Sequence, residues 1–197
     1  MRFPIRYFTV ILVFLALTPL AAVGQNAGGG AKANEPADLT AKKEIEIPPE
    51  KRRPVVIPKT ATVPVIDGRV DEEAWKRAAV FKDFYQTNPG DNIAPTKPTE
   101  AYVMYDEKNL YVAFKCWDEK DKIRATVAQR DGVFNEDNVR FWLDTYDDKR
   151  RAYVIGFNPL GIQQDGIVTE GQGTDFNVDI LMDSKGVIDD LGWSVEV

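Results

Sequence analysis

Aromatic rings and planar polar groups gather along one stretch of the chain. Arg140, Trp142, Asp144 and Tyr146 fall at every second position of a β-rich run, which predicts that all four share one strand face. Phe134 and Asn138 precede them, and Arg151 and Tyr153 follow in the next run. Flat aromatic faces beside amide, guanidinium and carboxylate groups recognise a ligand by stacking and hydrogen bonding, without a covalent step. The same residues also suit a plainer role, with Trp142 packed under a loop and the charges solvating a rim. The acids offer a second chemistry. Calcium takes about six to eight oxygen ligands, often from acidic loops. Asn135, Glu136 and Asp137, the Asp147-Asp148 pair, and Asp183 are available donors. EF-hand spacing is absent, and a solvated acidic loop is the ordinary role of such runs.

Composition removes most catalytic chemistries. The 197 residues include no histidine and one cysteine, Cys116. That excludes an internal disulfide, Ser-His-Asp and Cys-His catalysis, and His- or Cys-ligated zinc sites. Glycosidases need two carboxylates at a set separation, but among 31 acids some pair always meets a distance criterion and no motif singles one out. No catalytic constellation is visible, and no cofactor beyond a structural calcium is suggested. The formal charge of -6, from 25 basic against 31 acidic residues, argues against nucleic acid and against anionic lipid as partners.

The elements that must position these residues are short strands. Residues 62–65 read as a brief strand, and 71–79 as a short helix with Trp75 on its buried side. Residues 100–105 and 110–117 form a hairpin around Asp106-Glu107-Lys108-Asn109. Residues 121–131 suit either one helical turn or an irregular strand. Residues 139–146 and 151–158 form the clearest hairpin. A four-residue loop would set its paired numbers to a sum of 297, placing Leu143 opposite Val154, Trp142 opposite Ile155 and Asp144 opposite Tyr153. Further strands are expected at 162–169, 178–182 and 193–197. Regular strand spacing and little helix indicate an all-β antiparallel sandwich with one short helix. Trp75, Trp117, Trp193 and Cys116 read as packing residues. Residues 193–197 alternate up to the last residue, which predicts a C-terminally truncated sandwich with an unpaired edge at Val195 that invites aggregation.

Upstream of the fold, residues 1–24 read as a secretory signal peptide. Arg2 and Arg6 precede an apolar run from Tyr7 to Leu20, and small residues follow to Gly24. An uncleaved N-terminal anchor is the other reading. Residues 25–58 form a linker with Gly28-Gly29-Gly30, recurrent prolines and mixed charge, and bury too little to offset ordering entropy. The fold then occupies 59–197. The chain is expected in the periplasm, associated with the outer membrane, or outside the cell.

Four stretches together carry a resemblance. They are Ile66-Asp67-Gly68-Arg69-Val70-Asp71-Glu72-Glu73-Ala74-Trp75, Tyr105-Asp106-Glu107-Lys108-Asn109-Leu110-Tyr111-Val112, Phe141-Trp142-Leu143-Asp144-Thr145-Tyr146 and Phe157-Asn158-Pro159-Leu160-Gly161-Ile162-Gln163-Gln164-Asp165. In order and spacing they resemble the family 9 carbohydrate-binding module. More narrowly, they are similar to the module heading large exported bacterial proteins with a barrel-like C-terminal half. The resemblance implies a β-sandwich that binds a polysaccharide or oligosaccharide, with structural calcium in loops. If the parent protein is an enzyme, it would be an O-glycosyl hydrolase with catalysis outside residues 1–197. Best-known members clamp a sugar-chain end between two tryptophans. Here Phe134 stands where the first would be, Arg140 where the family has a glutamate, and Gly156 where it has an arginine. The second tryptophan would lie beyond Val197. The resemblance therefore leaves Phe134, Asn138, Arg140, Trp142, Asp144, Tyr146 and Tyr153 as the carbohydrate-binding set, and Glu136, Asp137 and Asp183 as calcium donors. The rival reading is a structural or docking domain that contacts the missing C-terminal part of its own protein and has no glycan affinity.

Overall fold

The computed structural model describes residues 53–87, 93–127 and 129–197. The expected signal segment and most of the expected linker lie outside the described residues. Nine strands are described: β1 (Ala79–Phe81), β2 (Thr99–Tyr105), β3 (Leu110–Trp117), β4 (Val139–Leu143), β5 (Arg151–Phe157), β6 (Gln163–Thr169), β7 (Gly173–Asp175), β8 (Lys185–Ile188) and β9 (Gly192–Glu196). They build one sheet in the order β1-β2-β3-β9-β8 and a second in the order β4-β5-β6-β7. All ladders are antiparallel, so the chain is the all-β sandwich its residues indicate.

Alternation along the strands builds the core. Val103, Val112, Phe114, Trp193 and Val195 of the first sheet meet Val139, Phe141, Ile155 and Phe157 of the second. Phe114 and Phe141 lie with ring centroids 6.5 Å apart. Burying each such ring contributes about 1.5–3 kcal/mol. The first sheet is buried on its other face too, where Met104, Tyr111 and Ala113 pack under Val70, Ala74 and Trp75. That double burial is why β3 reads as a nearly unbroken apolar run. The β2–β3 turn is the one expected. The Asp106 carboxylate accepts the backbone N–H groups of Lys108 and Asn109, both at 2.7 Å, and the Tyr111 hydroxyl.

Several elements differ from expectation. Residues 62–65 form no ladder, and Val63 and Val65 are exposed. A single bridge joins Lys59 to Tyr105. In place of a helix over 71–79 there is a 3-10 turn at Trp75–Arg77, because β1 captures Ala79 into the sheet. Residues 178–182 are not a strand. Their backbone is held by side chains instead: the Ile180 N–H donates to Asp165 at 2.5 Å, and the Met182 carbonyl accepts from Gln163 at 3.1 Å. β7 and β8 were not foreseen. Residues 193–197 do not form an unpaired edge, since β9 lies between β3 and β8 and Val195 is fully buried.

The most consequential difference is the β4–β5 register. Val139 pairs with Phe157 and Leu143 with Tyr153, so paired numbers sum to 296 rather than 297. The strand stops at Leu143, because the Asp144 carboxylate accepts the N–H groups of Tyr146 at 3.0 Å and Lys149 at 2.9 Å and folds residues 144–150 into a loop. This register sets Val139, Phe141 and Leu143 opposite Phe157, Ile155 and Tyr153 on the core face. It leaves Arg140 opposite Gly156 on the outer face.

Candidate functional site

The outer face of the second sheet carries the residues that could recognise a ligand. Phe134 sits on a 3-10 turn, Val133–Asn135, that is pinned to β6. The N–H groups of Val133 and Phe134 both donate to Gln164 Oε1 at 3.1 Å. The turn lays the Phe134 ring over Gly156, where a Cβ would stand only 2.3 Å from the ring. Phe176 meets that ring edge-on at 5.9 Å. Directly across the ladder from Gly156, the Arg140 guanidinium lies 3.7 Å from the centroid of the same ring. Its Nε and Nη2 donate to Asn138 Oδ1 at 3.2 and 2.8 Å, and Asn138 Nδ2 donates to the Glu136 carbonyl at 2.6 Å. Burial pushes the Arg140 pKa down. Trp142, also half-buried, follows on the same face of β4, about 7 Å along the strand.

Phe134, Arg140 and Gly156 are therefore one physical unit. The aromatic ring fills the space above the glycine, and the guanidinium, supplied by the neighbouring strand, stacks on the ring.

The structure divides the remaining expected site residues. Tyr153 turns toward the core cluster and pairs with Leu143, not Asp144. Asp144 is taken up by its own loop. Tyr146 is 67% exposed, with the Arg151 guanidinium 5.0 Å above its ring. Phe134, Asn138, Arg140 and Trp142 thus stand apart from Asp144, Tyr146 and Tyr153. The expected calcium donors are also separate. Glu136 accepts the Thr126 N–H at 2.5 Å and the Thr126 hydroxyl, Asp137 accepts the Arg124 N–H at 2.7 Å, and Asp183 is exposed. A pocket of about 200 Å³ opens beside this segment, between Phe134, Asp137 and Asn138 and the end of β3 at Trp117.

Sequence reasoning missed two buried charges. Asp165, fully buried on β6, accepts Arg130 Nη2 at 2.7 Å and ties residues 130 and 180 to the sheet. Glu196, fully buried on β9, accepts Trp75 Nε1 at 2.6 Å and the N–H groups of Asp67 and Gly68 at 2.9 and 2.7 Å. Burial pushes Glu196 up to about 7 against the pull of these donors. The signal was an acid at an alternating position in an apolar strand, facing the same side as Ser194 rather than Val195.

Glu72 lies beside this carboxylate. Its Oε1 accepts the Val65 N–H at 3.3 Å, while Oε2 is buried without a partner. Oxygens of Asp67, Glu72 and Glu196 come within 4.8 Å of one another, the one such group among the described residues. An all-oxygen donor set with an orphaned buried oxygen fits a hard cation such as calcium. These three residues would hold it, and its chemistry there would be to neutralise and brace them.

No curated protein and no solved structure matches the chain. A family model described as carbohydrate family 9 binding domain-like matches residues 66–167, a span that runs from the Trp75 segment into β6 and includes Phe134, Asn138, Arg140 and Trp142. The chain belongs to the carbohydrate family 9 binding domain-like family.

Proposed function

We propose that this domain is a non-catalytic glycan-binding appendage of a larger exported protein that takes part in carbohydrate breakdown. Family membership supports carbohydrate binding at the level of the family. The observation that carries the reading for this chain is the arrangement on β4. A guanidinium held flat against Phe134 by Asn138 stands beside the half-buried Trp142. A sugar ring needs an apolar face to stack on and fixed polar groups at its edge, and this arrangement supplies both. Stacking would fall to Trp142 and the exposed margin of Phe134, and hydroxyl recognition to Arg140 and Asn138. The signal-peptide pattern of residues 1–24 supports export, to the periplasm, the outer membrane or the cell exterior.

The test is calorimetry of the full chain against soluble xylo- and cello-oligosaccharides, with and without calcium. Binding that Trp142→Ala abolishes, with an unchanged circular dichroism spectrum and melting temperature, supports the reading. A folded chain that binds no glycan across the panel would overturn it in favour of a docking domain.

A further inference from the structure

Among the described residues the Arg140 guanidinium has no anionic partner. It is half-buried, and no carboxylate lies within ion-pair distance of it among the described residues. Its one acceptor is a neutral amide oxygen, Asn138 Oδ1, which engages only Nε and Nη2. The acids nearest in sequence are used elsewhere. Glu136 and Asp137 serve the backbone of residues 126 and 124, and Asp144 serves residues 146 and 149. Two other cations near this sheet do have acidic partners, Arg130 with Asp165 and Asp179 and Arg151 with Asp148.

Withdrawing a cation from water without an opposing charge is unfavourable. Here the neighbouring residues also immobilise it. Phe134 fixes the plane of the guanidinium, Gly156 makes room for Phe134, and Gln164 holds the turn that carries it. The result is an oriented fork whose Nη1 side meets no acceptor among the described residues. A fork of this kind matches a planar carboxylate through two parallel hydrogen bonds.

Building on the glycan-binding reading above, we propose that the ligand is an acidic glycan and that Arg140 receives the carboxylate of a uronic acid unit while Trp142 stacks on a sugar ring. The chain's net charge of -6 opposes an anion at long range. The screening length at physiological salt is only about 8 Å, so the local cation governs the contact.

The test is titration of the full chain with trigalacturonate, with its methyl ester, with xylotriose, and with a sulfated trisaccharide. The carboxylate form should bind at least about tenfold more tightly than its methyl ester, as charge-assisted hydrogen bonds require. That preference should vanish in Arg140→Gln and fall sharply in Arg140→Lys, which keeps the charge but loses the fork. Melting temperatures check that both variants fold. If only one folds, it decides the matter alone. If neither folds, the methyl-ester comparison and its weakening at 0.5 M salt decide it on the unaltered protein. Sulfate bound as tightly as carboxylate would overturn the uronate assignment. Equal affinity for neutral and acidic sugars, or a preference that survives in Arg140→Gln, would overturn the inference and leave glycan binding standing. Absence of binding to all four sugars would overturn both.

Discussion

Two charged residues, one on each sheet, are treated in opposite ways. Glu196 is fully buried on the first sheet, and three donors from residues 67, 68 and 75 converge on it. Arg140 is half-buried on the second sheet and has one neutral acceptor. The first charge holds the segment around Trp75 onto the sheet and has almost no hydrogen-bonding capacity left. The second is oriented and left with capacity to spare. A buried polar group saturated by its own chain is a structural tie, whereas one held rigid but unsatisfied is suited to a ligand.

The largest expected effect breaks the tie. Glu196→Ala leaves the Trp75 indole N–H and two backbone N–H groups buried without an acceptor and should cost about 3–5 kcal/mol in urea unfolding. A loss below about 1 kcal/mol would mean that the Trp75 segment is not held by this carboxylate.

The next effect is pH dependence. Glu196, near 4.5 when unfolded, is pushed up to about 7 in the fold by burial. The folded state therefore holds this proton more tightly. The contribution is fully present below about pH 4.5 and is lost as pH rises through about 7. Over that window stability, measured in chelator, should fall by up to about 3 kcal/mol. Recovery on adding millimolar calcium would place a cation among Asp67, Glu72 and Glu196. Indifference to calcium assigns the charge balance to the proton alone. Asp106 acts at the other extreme. The Lys108 N–H, the Tyr111 hydroxyl and the Asn109 N–H hold it down to about 2, so its contribution is lost as pH falls through that value.

The smallest effect on stability sharpens the other side of the comparison. Gly156→Ala places a methyl 2.3 Å from the Phe134 ring. The obstacle is the far end of a side chain, which can swing aside, so the stability loss should be about 1 kcal/mol. Glycan affinity should fall by much more, since the ring that orients Arg140 is displaced. Equal losses in both would make Phe134 a packing residue only.

Much of this was legible in the residues. Period-two alternation located β2, β3, β5, β6 and β9 to within about a residue at each end, and the Asp106 turn followed from its own side-chain chemistry. The pairing of β4 with β5 was not legible to the last residue. A strand alone does not reveal that Asp144 folds its own loop, and one residue of slip exchanges every cross-strand partner. The expected face of Arg140, Trp142, Asp144 and Tyr146 held for the first two and failed where the strand ended. The irregular path of residues 178–182 was equally hidden, because its hydrogen bonds go to Gln163 and Asp165, side chains distant in sequence.

The sequence by itself determined the all-β class, the apolar faces and the cluster of aromatic and planar polar residues near Arg140, because these depend on local spacing. Tertiary structure alone decided that Gly156, Phe134 and Arg140 form one stack and that Glu196 lies beneath Trp75. Those outcomes depend on which strands become neighbours, and that is set by the packing of two sheets against each other rather than by any local run.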